Sequence, residues 1–287
     1  MMELQWPLII FTTLVSWCAG TFATQAYLAL KGTGQKAQIR CWIVSAVLLV
    51  VGGIAVFFHL QHWERIFNGF GHITSGITQE LIAIIVLAIV AVIYLAMLRK
   101  NEGSVPKWVA ILAIVMSAVL VVVMGHSYMM EARPAWCNVL WIVSLLGVAC
   151  ILGPATVAVV CETVGEDASE LGMPAFIGSI INAVASLAAA LMINTTHVSE
   201  VGNYYDLTHP MKDITASGLN IFGGESLIPT LLMIVLGCAA PIACAYMGKK
   251  TGNWKVYGTA AVVCAAIGAV CLRAVFYLAG ASVFGIY

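Results

Sequence analysis

Phe57-Phe58-His59-Leu60 closes one apolar run, and after a polar turn Thr78-Gln79-Glu80-Leu81 opens the next. A His leaving one helix and a Glu entering the following one stand at the same membrane surface and can face a pocket between them. An ionisable residue at the edge of a bilayer is a functional candidate by default. Two plainer readings stand beside this one: Glu80 in the first turn of its helix, where the macrodipole favours a carboxylate, and His59 at headgroup level.

The runs on either side of this turn set the class. Of 287 residues, 62% are hydrophobic and 9% charged, with a mean hydropathy of +1.00. Too little polar surface remains to cover a soluble core of that size. The chain reads as an all-α polytopic membrane protein, since an open sheet edge has no place in lipid. Apolar stretches of about 20 residues, long enough to span the hydrocarbon core, fall at about 7–30, 41–60, 78–98, 106–129, 136–161, 171–194, 227–247 and 254–280. They form a single transmembrane domain over 1–287. The first run lacks a basic leader and is too long for a signal peptide, so it is expected to be retained. Trp6, Trp63, Trp108, Trp136 and Trp254 lie near span ends, as an aromatic belt requires.

Lys and Arg distribute unevenly over the connections. Those after the first, third, fifth and seventh spans hold nine, from Lys31 to Lys255, and the opposite face holds Arg65, Arg133 and Lys212. The positive-inside rule then puts both termini outside. On that assignment all six His, at 59, 62, 72, 126, 197 and 209, lie toward the outer face. Arg273 lies in the outer part of the last helix, about 28 Å from the inner surface at about 1.5 Å per residue. It either snorkels to the headgroups or pairs with Glu80 or a ligand. With 13 basic and 13 acidic residues there is no net field to draw nucleic acid. The nine Cys show no C-x-x-C spacing and read as small buried hydrophobes. The connection Thr195 to Ser226 is long for a bare turn and suits a docking surface for a protein partner, or is simply a packed loop.

Taken in order, several strings resemble a known family. They are Trp6-Pro7-Leu8-Ile9-Ile10-Phe11-Thr12, His59-Leu60 with Arg65 and Phe67-Asn68, Gln79-Glu80-Leu81, Tyr128, Pro134-Ala135-Trp136, and Arg273-Ala274-Val275-Phe276-Tyr277. The chain resembles the membrane-anchor subunits of anaerobic dimethyl sulfoxide reductases, within the polysulfide-reductase-like quinone-interacting anchors. The resemblance implies two packed four-helix bundles, an iron–sulfur partner, a molybdopterin catalytic subunit, and oxidation of menaquinol in the anchor. It places the chain in the bacterial cytoplasmic membrane with its partners on the outer face. His59 and Glu80 match the family's quinol-site positions. Gln61-His62-Trp63-Glu64 replaces the family's Gly and Pro after His-Leu, and His126 replaces an Arg, which leaves the quinone type open.

The chemistry asks for such groups in its own right. Oxidising a quinol releases two electrons and two protons, so a base near the hydroxyl is needed, and neutral His suits neutral pH. His59 is the candidate base. Glu80 can orient the imidazole or relay the proton, and Arg273 can hold Glu80 ionised or stabilise a quinol anion. Phe57, Phe58, Phe67, Phe70 and Tyr277 offer ring contacts, and Arg65, His126 and Tyr128 complete the expected binding set. No permanently bound cofactor is expected, because there is no Cys cluster and the His lie at one surface rather than within helices. A transporter or channel, or a b-type cytochrome, are the rivals; the sequence shows no broken helix of the kind transporters use. With no chain of Asp, Glu or His crossing the apolar runs, quinol oxidation here is expected to be electroneutral.

Overall fold

The computed structural model describes residues 4–59, 68, 70–199 and 216–280. Eight spans among them are long and apolar enough to cross a membrane, so the chain is a multi-pass membrane protein. The first six are α1 (Trp6–Lys31), α2 (Gln38–Phe57), α3 (Gly76–Lys100), α4 (Lys107–Ser127), α5 (Val139–Thr163) and α6 (Ser169–Thr195). The seventh is compound: a 3-10 turn Gly224–Ser226, α7 (Leu227–Leu232), a π-helical stretch Met233–Ala239 and α8 (Ala240–Thr251). The last is α9 (Trp254–Leu278).

Local chemistry explains most ends. Pro7 sits in the first turn of α1, where its missing N–H is no loss. Gly32 closes α1 in the left-handed region at φ 74°, with its N–H and that of Thr33 returning to the carbonyls of Ala29 and Leu28. Asn138 and Asn253 cap α5 and α9 by accepting from the N–H groups of Leu140 and Val256.

Two ends differ from expectation, and both bear on function. α2 stops at Phe57 rather than Leu60, so His59 stands in the turn beyond it. α3 begins at Gly76 rather than Thr78, so Glu80 lies past the first turn and is buried, not an exposed carboxylate at a helix start.

α1, α5 and α9 are the most enclosed spans, while α2 and α3 turn most of their surface outward. α1 packs on α2 and α4, and α3 on α4; α5 packs on α6 and α9, and α6 and α9 both on α8. α1 lies along α5 and ties the two sets together. That contact needs glycine: a Cβ on Gly20 would fall 2.2 Å from the Ala149 carbonyl oxygen.

The seventh span runs on as one helix but widens to π geometry over Met233–Ala239, which the sequence reading did not foresee. Pro241 has no N–H to give the carbonyl of Gly237 four residues back, and the Nδ2 of Asn182 on α6 donates to it instead, at 2.8 Å. The backbone of Gly237 there lies directly against Gly268 of α9, on which a Cβ would be 2.0 Å from the Gly237 Cα.

In the long connection, β1 (His197–Ser199) pairs antiparallel with β2 (Ala216–Gly218). This is a small β addition to a chain expected to be wholly helical. The tyrosines, Asp206 and His209-Pro210 of that connection lie outside the described residues.

Candidate functional site

A pocket of about 290 Å³ opens where the start of α1, the turn after α2, the start of α3, the end of α4 and the end of α9 meet. His59 and Glu80 both line it, together with Tyr128 and Tyr277. Four of the expected residues are thus brought to one cavity from four different parts of the chain.

His59 is oriented by a residue the sequence reading did not single out. Its Nδ1 lies 3.0 Å from the Oε1 of Gln5, just ahead of α1. An amide oxygen only accepts, so the imidazole donates from Nδ1 and Nε2 keeps its lone pair. Partial desolvation of the ring lowers its pKa below the ordinary 6.5, which keeps His59 neutral and able to take up a proton at neutral pH.

Glu80 is 8% exposed. Its Oε2 accepts from the Ser127 hydroxyl at 3.2 Å, while that hydroxyl also reaches the Met124 carbonyl at 2.7 Å. Its Oε1 has no hydrogen-bond partner. A buried carboxyl oxygen without a partner costs about 1–3 kcal/mol, a penalty that a hydroxyl placed in the pocket would remove. Gly76 lets α3 come this close to α4, since a Cβ there would be 2.9 Å from the Ser127 Cα.

Aromatic packing makes one wall rigid. Phe276 is stacked between Trp141, 3.7 Å between centroids, and Trp136, 4.8 Å. The Trp136 Nε1 donates to the Phe276 carbonyl at 2.7 Å. Tyr128 meets Tyr277 edge to face at 6.4 Å. At the rim Arg133 donates from Nη1 to the Gly280 carbonyl at 3.0 Å and lies over the Trp136 ring, 4.5 Å from its centroid. Partial desolvation lowers its pKa without removing its charge.

Arg273 is placed otherwise than expected. It neither snorkels nor meets Glu80; fully buried, it donates from Nε to Thr12 Oγ1 at 2.9 Å, from Nη2 to the Thr12 carbonyl and Ser16 Oγ, and from Nη1 to the Ala269 carbonyl. The Trp141 ring centroid lies 5.9 Å from its guanidinium carbon. Arg273 thus pins α9 to α1 beside the pocket without lining it.

Phe58 is 81% exposed and His126 is also exposed, and neither lines the pocket. Arg65 and Phe67 lie outside the described residues. The residues missed were Gln5, Ser127 and Trp136 as pocket groups. Gln5 had one usable signal, a polar side chain immediately before the first span.

The pocket thus places an imidazole and a buried carboxyl at one mainly apolar cavity. The chain is 29% identical over 143 residues to the C subunit of the anaerobic dimethyl sulfoxide reductase of Escherichia coli (strain K12), over 47% of this chain and 50% of that one. It therefore spans about half the length of the curated relative it matches. A family model described as DMSO reductase anchor subunit (DmsC) matches residues 2–278, which is nearly the whole run of spans and includes every residue of the pocket: the chain belongs to the DMSO reductase anchor subunit family.

Proposed function

We propose that this chain anchors a dimethyl sulfoxide reductase-like molybdopterin complex in the bacterial cytoplasmic membrane and oxidises menaquinol for it. The observation that carries the reading is that His59 and Glu80 open onto one pocket, with the Glu80 Oε1 left without a partner. A quinol hydroxyl donates its proton to His59 Nε2, and the hydroxyl across the ring is served by Glu80, giving quinone, two protons and two electrons. Tyr128, Tyr277 and the Trp136–Phe276 stack bound the ring. The electrons leave to an iron–sulfur partner docked on the face that carries the pocket, and from there to the molybdopterin subunit. That face is the outer one by the distribution of Lys and Arg, and the connection between α6 and the seventh span lies on it. No resident cofactor is assigned to the anchor.

The test is quinol oxidation by the assembled complex carrying His59→Gln or Glu80→Gln. Each variant should assemble with its partners and lose quinol oxidation by about 100-fold or more, the scale of a lost general base, while artificial electron donors still drive the reductase. Normal quinol turnover in both variants would end the assignment.

A further inference from the structure

A larger cleft, about 770 Å³, runs between α1, α4, α5 and α6 and is separate from the quinol pocket. Its shallow end carries Tyr27, Ser169 and Glu170, on the face where the Lys/Arg-rich connections lie; its deep end reaches Ile181 and Leu146. From Glu170 to Ile181 the wall is twelve residues of α6, a rise of about 16 Å at about 1.5 Å per residue. That matches one leaflet of a hydrocarbon core about 30 Å thick.

The mouth is charged in a particular way. Lys31 lies 5.6 Å from the centroid of Tyr27, a lining residue. Lys249 lies 3.5 Å from the sulfur of Met173, another lining residue, and 5.7 Å from the Phe176 ring. Among the described residues neither ammonium has a carboxylate partner. Glu170, exposed, lines the same end of the cleft. Glu170 also lines an adjoining cleft with Glu166 and Asp167, so carboxylates at the mouth and lysines flanking it complement a headgroup with both signs of charge.

We propose that this cleft holds an acyl chain of one phospholipid whose zwitterionic headgroup ends in a primary amine, as in phosphatidylethanolamine. The phosphate is drawn to Lys31 and Lys249 and the ammonium to Glu170. Ala23 and Ala118 keep the cleft open, and the hydroxyl of Ser117, buried in its wall, has no hydrogen-bond partner. A chain so held fills the seam where α4 and α6 leave α1 and α5 uncovered.

The experiment is native mass spectrometry of the intact complex, released from detergent after exposure to equimolar phosphatidylethanolamine, phosphatidylglycerol and phosphatidylcholine. One phosphatidylethanolamine should be retained per anchor, with a preference of about tenfold over the other two. Ala118→Trp or Ile177→Trp, at outward-facing positions that fill the cleft, should abolish retention without changing quinol oxidation. Glu170→Gln should remove the preference for the amine headgroup, and Lys31→Gln with Lys249→Gln should weaken retention of all three lipids. Equal retention of the three by the native complex, or undiminished retention in both Trp variants, would overturn the proposal. So would recovery of a quinone in place of a lipid, bound in the native complex and lost in Ser117→Ala.

Discussion

Gln5 decides which nitrogen of His59 carries the proton, and this has a measurable effect. Because the His59 pKa lies below 6.5, its protonated form is disfavoured. Quinol oxidation should therefore rise with pH through a midpoint below 6.5 and then level off, whereas a raised pKa would move that midpoint above 6.5. A pH–rate profile of the reconstituted complex checks this, and the acid limb should vanish in His59→Gln. Gln5→Leu removes the acceptor of the Nδ1 proton; turnover should fall about tenfold, the scale of one neutral hydrogen bond, with assembly unchanged. His59 and Glu80 were legible in the sequence because ionisable groups stand out against apolar runs. Gln5 and Ser127 were not, because each acquires its meaning only from contact with another span. Arg273 was legible as important but not in its partners: the hydroxyls of Thr12 and Ser16 look like ordinary small residues of a membrane helix until α9 is laid against α1.

At the scale of elements, hydropathy placed all eight spans within a few residues of their observed ends. The departures arise where tertiary contacts override local pattern. Nothing in the hydropathy of residues 227–247 announces a π-helical stretch; Pro241 and Gly237 are visible, but Asn182 as the replacement donor is 55 residues away. A pair of substitutions tests that replacement. Asn182→Ala leaves the Gly237 carbonyl without a donor and should cost about 1–3 kcal/mol, read as a lower thermal unfolding temperature in detergent. Pro241→Ala restores an N–H at the right position, so Asn182→Ala should cost markedly less in that background. A second prediction concerns the α1–α5 contact. Gly20→Ala drives a methyl into the Ala149 carbonyl and should destabilise by about 1–3 kcal/mol or more, as overpacking does.

For the molecule as a whole, charge is confined. Among the described residues Glu80 is the only buried acidic side chain and Arg273 the only buried basic one. The remaining buried polar groups are Ser, Thr, Gln and Asn, whereas proton relays use chains of Asp, Glu or His. Quinol oxidation by the complex in sealed vesicles should therefore build no membrane potential, as followed by a potential-sensitive dye; a sustained potential abolished by a proton carrier would refute it. Arg273 holds the two ends of the chain together by three hydrogen bonds from α9 to α1. Arg273→Met should loosen that junction, lowering the unfolding temperature and weakening quinol turnover together, whereas Glu80→Gln should affect turnover alone.

The π-helical stretch also bears on how the chain tolerates change in its own length. Removing a residue from an α-helical span turns everything beyond it by about 100°, exposing its packed face to lipid. Met233–Ala239 already carries the one surplus residue of a wider helix, so excising outward-facing Val235 would let the segment close to α geometry with α7 and α8 keeping their faces. Among the eight described spans this one alone holds a site where a single-codon deletion can be absorbed, and insertions and deletions among relatives should gather there.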